Sequence, residues 1–243
     1  MSKLLRTLGV IPARLASTRL PRKVLREIAG KPLLLWVVEA ARACPQLNEV
    51  LVATDSNEVV ALCADRGIAV EMTSPDLPSG TDRIQAVAQK IDADVYVNIQ
   101  GDEPLIRPEH IAALLRPFER AQVDVTTLKV RCTPENITNP NAVKVVTAAD
   151  GHALYFSRAT IPYDRDGAQP EYWKHIGLYA YSKAALGRFT KLPPSTLEQA
   201  ERLEQLRFLE NSIDIYVEPT EHDTIGVDTE DDLRFVEKLL RER

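Results

Sequence analysis

The feature that most constrains the fold is an alternation, across the first hundred residues, of short apolar runs with amphipathic segments. Leu8–Ile11, Glu49–Asp55, Ala69–Thr73 and Asp94–Ile99 read as buried strands. Between them, Lys31–Ala43, Glu58–Arg66 and Asp82–Ile91 carry apolar residues at helical spacing. Leu33, Leu34, Val37, Val38 and Ala41 line one face of the first helix, Pro32 suits its first turn, and Gly67 is placed to end the second. Strands joined through helices by short connections must run parallel, which predicts an α/β chain with helices on both faces of the sheet. Ligands of such sheets sit beyond the carboxyl ends of the strands, so the loops beginning at Pro12, Thr54 and Gln100 are the candidate site.

The pattern loosens after Leu105. A helix over His110–Arg120 is followed by strand candidates at Val123–Val130, Ala142–Thr147, Ile176–Tyr181 and Ile213–Val217. Ser157–Trp173, rich in Arg, Asp, Pro and aromatics, reads as an ordered loop. Ser195 and Glu198 have capping-box spacing at the start of a helix that carries Leu197, Ala200, Leu203, Leu206 and Leu209 inward. A closing amphipathic helix covers Glu230–Arg241. With no repeat, low-complexity tract or separating linker, residues 1–243 read as one sheet domain with a smaller lobe inserted at roughly 130–190. Val125, Leu128 and Val130 fit an interface or a core equally well.

One loop stands out by charge. Ile-Pro-Ala-Arg-Leu-Ala-Ser-Thr-Arg-Leu-Pro-Arg-Lys, residues 11–23, concentrates Arg14, Arg19, Arg22 and Lys23 on a chain whose net charge is −5. A local cationic loop on an acidic protein fits a polyphosphate in a specific pocket and argues against a nucleic-acid surface. The loop has no glycine and the chain lacks G-x-x-x-x-G-K-[ST], which excludes a P-loop; the Arg and Lys side chains, with Ser17 and Thr18 hydroxyls, supply the field instead. No apolar run approaches the ~20 residues that span a bilayer. The N-terminal segment lacks a signal-peptide core, and Cys44, Cys63 and Cys132 have no paired spacing, so a cytoplasmic protein is expected.

Three further segments carry candidate chemistry. In Asn98-Ile99-Gln100-Gly101-Asp102-Glu103-Pro104 a strand runs into a carboxylate, which suits a magnesium ligand or a helix cap. In Thr224-Ile-Gly-Val-Asp228-Thr229, Asp228 also follows a strand-like step, and a parallel sheet could converge it with Asp102 on one cation; capping of the final helix, with Thr229 as a candidate cap, explains the segment as well. Ser79-Gly80-Thr81-Asp82-Arg83 opens a helix and reads either as a base or phosphate contact or as an N-cap. The histidines lack zinc-site spacing and no G-x-S-x-G elbow is present, so zinc and a hydrolase triad have no support; His175 alone reads as structural or catalytic.

Taken together, IPARLASTRLPRK, ATD at 53–55, SGTDR at 79–83, NIQGDEP at 98–104, NPNAVKVV at 139–146, ALYFSRATIPYDRD at 153–166, HIGLYAY at 175–181, LEQLR at 203–207 and GVDTEDD at 226–232 resemble the 3-deoxy-manno-octulosonate cytidylyltransferase family nearly end to end. The resemblance implies a Rossmann-like nucleotidyltransferase fold, mostly parallel, with an inserted smaller dimerisation lobe. It implies transfer of CMP from CTP to the anomeric hydroxyl of 3-deoxy-D-manno-octulosonate (Kdo), an eight-carbon 2-keto sugar acid, releasing pyrophosphate, in lipopolysaccharide biosynthesis. Carried over by position, Arg14, Ser17, Arg19 and Lys23 would hold the triphosphate, and Ser79, Thr81 and Arg83 would lie near the cytosine. Asp102 and Asp228 would bind Mg2+, and Lys23, Arg14, Asp102 and Asp228 form the implied catalytic set. Gln100, Arg158, Arg165, His175, Tyr179, Glu204 and Gln205 would line the sugar-acid pocket, with Glu204 and Gln205 on the helix that begins near Leu197. A homodimer with no nucleic-acid or membrane partner is implied.

The chemistry agrees with that allocation. Cationic groups neutralise charge at the α-phosphorus, arginine matches a sugar carboxylate, and mixed donors and acceptors suit hydroxyls. No general base stands out. The loop departs from the common family string STRLPGKP, with Arg22 for the glycine and Val24 for the proline. Alternatives are a cytidylyltransferase for 8-amino-3,8-dideoxy-manno-octulosonate or for sialic acid, and a non-catalytic nucleotide-binding regulator; the last need not keep both Asp102 and Asp228.

Overall fold

A computed structural model describes residues 5–17 and 19–242, so Thr18 lies outside the described residues. The chain forms two compact units, one from its start to Ala112 together with Thr224 to its end, the other Ala113–Asp223. The second unit is broader than the 130–190 segment that the sequence outlines.

In the first unit, β1 (Thr7–Ala13) leads through a 3-10 turn at Lys23–Leu25 and a two-residue hairpin, β2 (Glu27–Ile28) with β3 (Lys31–Pro32), into α1 (Leu33–Arg42). Then follow β4 (Glu49–Thr54), α2 (Asn57–Asp65), β5 (Ala69–Met72), α3 (Gly80–Ala88) and β6 (Val95–Asn98). The α1 helix starts later than the sequence pattern implies because Lys31 and Pro32 belong to the hairpin, and Pro32 is its N-cap. Gly67 takes a φ of 57° just beyond α2, as a helix-ending glycine does.

The strands of this unit are parallel in the order β6-β1-β4-β5. The chain steps outward from β1 to β4 to β5, then returns across the sheet to β6. Right-handed crossovers therefore place α1 and α2 on one face and α3 on the other. The order reverses between β1 and β6, so their carboxyl ends open the crevice where ligands of such sheets bind. The central strands are apolar and closed to solvent, with Val10, Ile11, Val52 and Val97 at 0% exposure. The last helix of this unit, α9, lies at Glu230–Arg241 as read from the sequence; Thr229 accepts from Asp232 N–H, and Asp232 accepts in return from Thr229 N–H.

α4 (Pro108–Arg120) bridges the sequence boundary between the units. The second unit holds β7 (Val125–Arg131), a short α5 (Pro134–Ile137), β8 (Lys144–Thr147), β9 (Ala153–Ser157), β10 (Trp173–Ser182), α6 (Lys183–Phe189), α7 (Thr196–Glu201), α8 (Leu206–Glu210) and β11 (Ile215–Pro219). β10 is antiparallel to β7 and to β8, β8 is antiparallel to β9, and β11 runs parallel to β7. Val125, Leu128 and Val130 are buried.

Several expectations are corrected here. β9 and α6 are present where no element was read, and the loop shortens to 158–172. The single helix expected from Leu197 to Leu209 is two helices, because Arg202 adopts a left-handed conformation (φ 55°) and stops α7. Leu197 and Ala200 are exposed in consequence, while Leu203 and Leu206 are buried.

Candidate active site

The basic loop leaves the end of β1, and a second loop leaves the end of β6. Gly101 allows the two to meet: a Cβ on it would lie 2.6 Å from the Pro12 carbonyl oxygen, so any side chain there would push the loops apart. Asp102 follows at once. The segment carrying Asp228 is fastened beside it by a backbone hydrogen bond, Val227 N–H to the Asp102 carbonyl at 2.9 Å. Residues more than a hundred positions apart are thereby brought to one point.

That point holds a cation. Lys23 Nζ donates to Asp102 at 2.6 Å and to Asp228 at 2.9 Å, and its side chain is only 12% exposed. Burial alone would lower the Lys23 pKa, but the charge and hydrogen bonds of Asp102 and Asp228 more than offset it, and the ammonium is held above its ordinary value. Burial opposes ionisation of Asp228 as well, yet Lys23 and then Arg19 keep its carboxyl below the usual range. Arg19 donates to Asp228 at 2.8 Å, and Arg26 grips Glu230 with both terminal nitrogens at 2.7 and 3.0 Å. Asp102 and Asp228 therefore converge, on Lys23, but by a different route from the one expected: Asp228 follows no strand and stands directly before Thr229, the N-cap of α9.

The 77–83 segment adjoins the same loop. Arg14 donates to the Leu77 carbonyl, and its charge bears on Arg83. Ser17 Oγ accepts from Leu20 N–H at 3.4 Å. Ser79 is the N-cap of α3, accepting from Asp82 N–H at 3.2 Å and donating its hydroxyl to Asp82 at 2.7 Å, so the capping reading of this motif holds. Thr81 is 3% exposed. Arg83, expected beside the base, is wholly buried and spent on structure: it pairs with Asp55 at 2.8 Å and donates to Thr73, pinning α3 to the ends of β4 and β5. Its Nε is buried without a hydrogen-bond partner.

Arg22 occupies the left-handed region (φ 57°, ψ 30°), where L side chains are disfavoured and glycine is not. A glycine would take this conformation without that cost. The Arg22 side chain is directed to Glu58 in the first turn of α2. Gln100, half-buried, is the second residue of the loop after β6 in the first unit.

The other residues assigned to a sugar acid belong to the second unit. β10 carries His175 and Tyr179 across a bulge in its register with β7. The Thr127 hydroxyl lies in that bulge, 2.8 Å from the Leu178 carbonyl and 2.9 Å from His175 Nε2. The same hydroxyl is 3.1 Å from the Ile176 carbonyl, and donating its one proton to a carbonyl leaves it an acceptor for Nε2–H. Burial and the neighbouring Lys174 charge lower the His175 pKa to about 3, so the ring is neutral near pH 7. The imidazole and Tyr179 rings are 5.5 Å apart. Burial raises the Tyr179 pKa, and the Tyr181 hydroxyl and Glu204 carboxylate add to the rise, so Tyr179 is a neutral donor close to Glu204. Gln205 is 6% exposed.

Glu204 and Gln205 lie in the turn between α7 and α8, a correction to the continuous helix expected there. The two arginines differ. Arg158 gives its guanidinium to the backbone carbonyls of Glu201, Pro140 and Arg202. Arg165 is exposed on the 158–172 loop. Glu201 was not singled out from the sequence, since its partners Ser157 and Arg158 lie more than forty positions away.

Comparison with known proteins follows this geometry. Residues 8–215 match the family described as Cytidylyltransferase. A protein of Acidobacterium capsulatum named 3-deoxy-manno-octulosonate cytidylyltransferase is 65% identical over 98% of both chains. One of Koribacter versatilis with the same name is 57% identical over 98% of this chain and 91% of its own. A solved CMP:2-keto-3-deoxy-manno-octonic acid synthetase complexed with CTP superposes with a TM-score of 0.95 at 41% identity, covering 98% of this chain and 99% of that one. A glucose-1-phosphate thymidylyltransferase from Bacillus anthracis, 14% identical with a TM-score of 0.71 and covering 98% and 96%, shares the α/β nucleotidyltransferase fold.

Proposed function

The chain belongs to the 3-deoxy-manno-octulosonate cytidylyltransferase family, and from that premise we propose that it transfers CMP from CTP to the anomeric hydroxyl of Kdo with Mg2+ as cofactor. The observation that carries the reading is the Lys23 ammonium shared by Asp102 and Asp228 at the crevice of a nucleotidyltransferase sheet. Two carboxylates that already embrace a cation fit magnesium, which is held by one or two carboxylates and otherwise by water and substrate phosphates. Among the described residues no cluster of three or more His, Cys, Asp or Glu forms a closed cage, and this reading requires none. Bound there, the ion would supply charge neutralisation at the phosphates.

The protein's own groups do the rest. Arg14, Arg19 and Lys23 line the loop that meets the triphosphate, with Ser17 as a further hydrogen-bonding group, and their charge stabilises the α-phosphoryl group as the sugar hydroxyl attacks and pyrophosphate departs. Ser79 and Thr81 stand at the start of α3 for the base, which Arg83 supports by fixing that helix start. For the sugar acid, Arg165 meets the carboxylate, and Gln100, His175, Tyr179, Glu204 and Gln205 bond to hydroxyls. His175, neutral near pH 7 with a pKa of about 3, is a hydrogen-bonding group there and not a proton acceptor.

The product is the activated sugar for lipopolysaccharide assembly, and the enzyme works in the cytoplasm as a homodimer. No helix among the described residues is long and apolar enough to cross a membrane. The apolar side chains of Leu154 and Tyr163, 62% and 85% exposed on the second unit, support a subunit contact there.

The test is pyrophosphate release from CTP and Kdo at varied Mg2+, in wild type and in Asp102→Asn and Asp228→Asn. Activity abolished by chelation and reduced by at least ~100-fold in both variants is expected. Full activity in either variant refutes the assignment of the two carboxylates.

A further inference from the structure

The carboxylate of Glu201 and the guanidinium of Arg158 form a reciprocal clamp. Glu201 Oε1 accepts from the Ser157 hydroxyl at 2.5 Å, and Oε2 accepts from Arg158 N–H at 2.9 Å. In return Arg158 Nε donates to the Glu201 carbonyl at 2.8 Å, and Nη2 reaches the Arg202 carbonyl at 3.4 Å. Its remaining arm, Nη1, holds the Pro140 carbonyl at 3.0 Å. The last residue of β9 is thus fastened to the last residue of α7.

The place of this clamp matters more than its strength. Arg202, whose carbonyl it holds, is the left-handed residue that ends α7, and the turn beyond it begins α8 with Leu206 N–H on Leu203, Arg207 N–H on Glu204 and Phe208 N–H on Gln205. A cation at a helix carboxyl end satisfies carbonyls that the helix leaves without partners. Without it, the left-handed turn at a non-glycine residue is disfavoured, and the straightforward alternative is continuation of the helix through Arg202. Continuation would rotate Glu204 and Gln205 by about 100° per residue around the helix axis. Their present direction exists because the helix is broken one residue after Glu201.

We propose that Glu201 is a positioning residue for the sugar acid, holding the α7–α8 turn so that Glu204 and Gln205 face the substrate, with Arg158 as its partner and not a ligand of the substrate carboxylate. This rests on the reading of Glu204 and Gln205 as sugar contacts. It predicts a selective defect. Glu201→Ala is expected to raise KM for Kdo by about tenfold or more while KM for CTP stays within about twofold, since small displacements of contact groups fall on the substrate they touch. Adding Arg202→Gly, which accepts the left-handed turn without side-chain cost, is expected to recover about threefold of that loss. Ser157→Ala removes one bond of the clamp and is expected to cost about threefold in KM for Kdo, which keeps the test open if Glu201→Ala folds poorly.

Equal KM values for both substrates in the variants and wild type, or a loss confined to thermal stability, overturn the proposal. So does a defect that Arg202→Gly leaves untouched. Amide hydrogen exchange at residues 203–206 reads the clamp without any turnover: selective acceleration in Glu201→Ala is expected, and unchanged protection overturns the clamp. If wild type turns over no sugar acid, the substrate reading fails while the exchange experiment still decides the clamp.

Discussion

Replacing Lys23 with Met tests the electrostatics at the crevice. The ammonium is 12% exposed and touches two carboxylates that are 32% and 45% exposed. Unit charges 4 Å apart near a protein surface interact by about 4 kcal/mol, and partial exposure of the carboxylates screens a good part of this. Methionine keeps the side-chain volume but removes the ammonium that Asp102 and Asp228 share, leaving Arg19 as the counter-charge of Asp228. The net loss of stability is set at about 1–3 kcal/mol, which for a chain of this size lowers Tm by roughly 3–10 °C. The same free energy reappears in cation binding, because a divalent ion no longer has to displace an ammonium. Lys23→Met is therefore expected to bind Mn2+ about tenfold or more tightly in the absence of nucleotide, measured by the loss of free Mn2+ signal in electron paramagnetic resonance. Added Mg2+ is expected to restore much of the lost Tm. Mn2+ affinity equal to or weaker than wild type would refute the reasoning, because it would mean that Lys23 does not compete for the two carboxylates.

Further expectations follow from single residues. Gly101→Ala puts a methyl 2.6 Å from the Pro12 carbonyl and should lower stability by about 1–3 kcal/mol in denaturant melts, with a matching loss of CTP binding. Arg22→Gly relieves a left-handed backbone costing about 1 kcal/mol and gives up an exposed ion pair with Glu58 worth less, so melts should show no loss of stability. His175 is depressed in the folded state from 6.5 to about 3, so its contribution is fully present above pH 6.5 and is lost as pH falls toward 3. Stability should decline there with a component near 1.4 kcal/mol per pH unit, and this component should vanish in His175→Gln.

The fold was legible where one physical signal dominated. Strands buried on both faces leave continuous apolar runs, and Glu49-Val-Leu-Val-Ala-Thr54 shows one plainly. β9 hid because Leu154, its second residue, is apolar yet 62% exposed, so the run Leu154-Tyr155-Phe156 shows no inward–outward alternation. The α7–α8 break hid behind leucines whose helical spacing runs unbroken through Arg202; the left-handed turn there falls on a non-glycine residue, and the Arg158 contact to its carbonyl comes from a distant part of the sequence. At the site, Asp102 stands beyond β6 as the sequence implies, but Asp228 follows no strand: it immediately precedes Thr229, the N-cap of α9, and is brought to Asp102 by Val227 N–H on the Asp102 carbonyl, a contact with no signature in the sequence. The partners of Arg83 and Arg158 were not legible either, because they are remote in sequence: Asp55 and Thr73 for one, Glu201 and Pro140 for the other. A motif shows that an arginine is required and does not show whether it faces a ligand or the protein.

The most direct test of the central claim is CTP-dependent pyrophosphate release with Mg2+, comparing Kdo, 8-amino-3,8-dideoxy-manno-octulosonate and N-acetylneuraminate at equal concentration. Preferential turnover of Kdo, with one pyrophosphate released per CMP-sugar formed, is the predicted result. Preference for either of the other acids, or CTP binding without pyrophosphate release from any of the three, would contradict it.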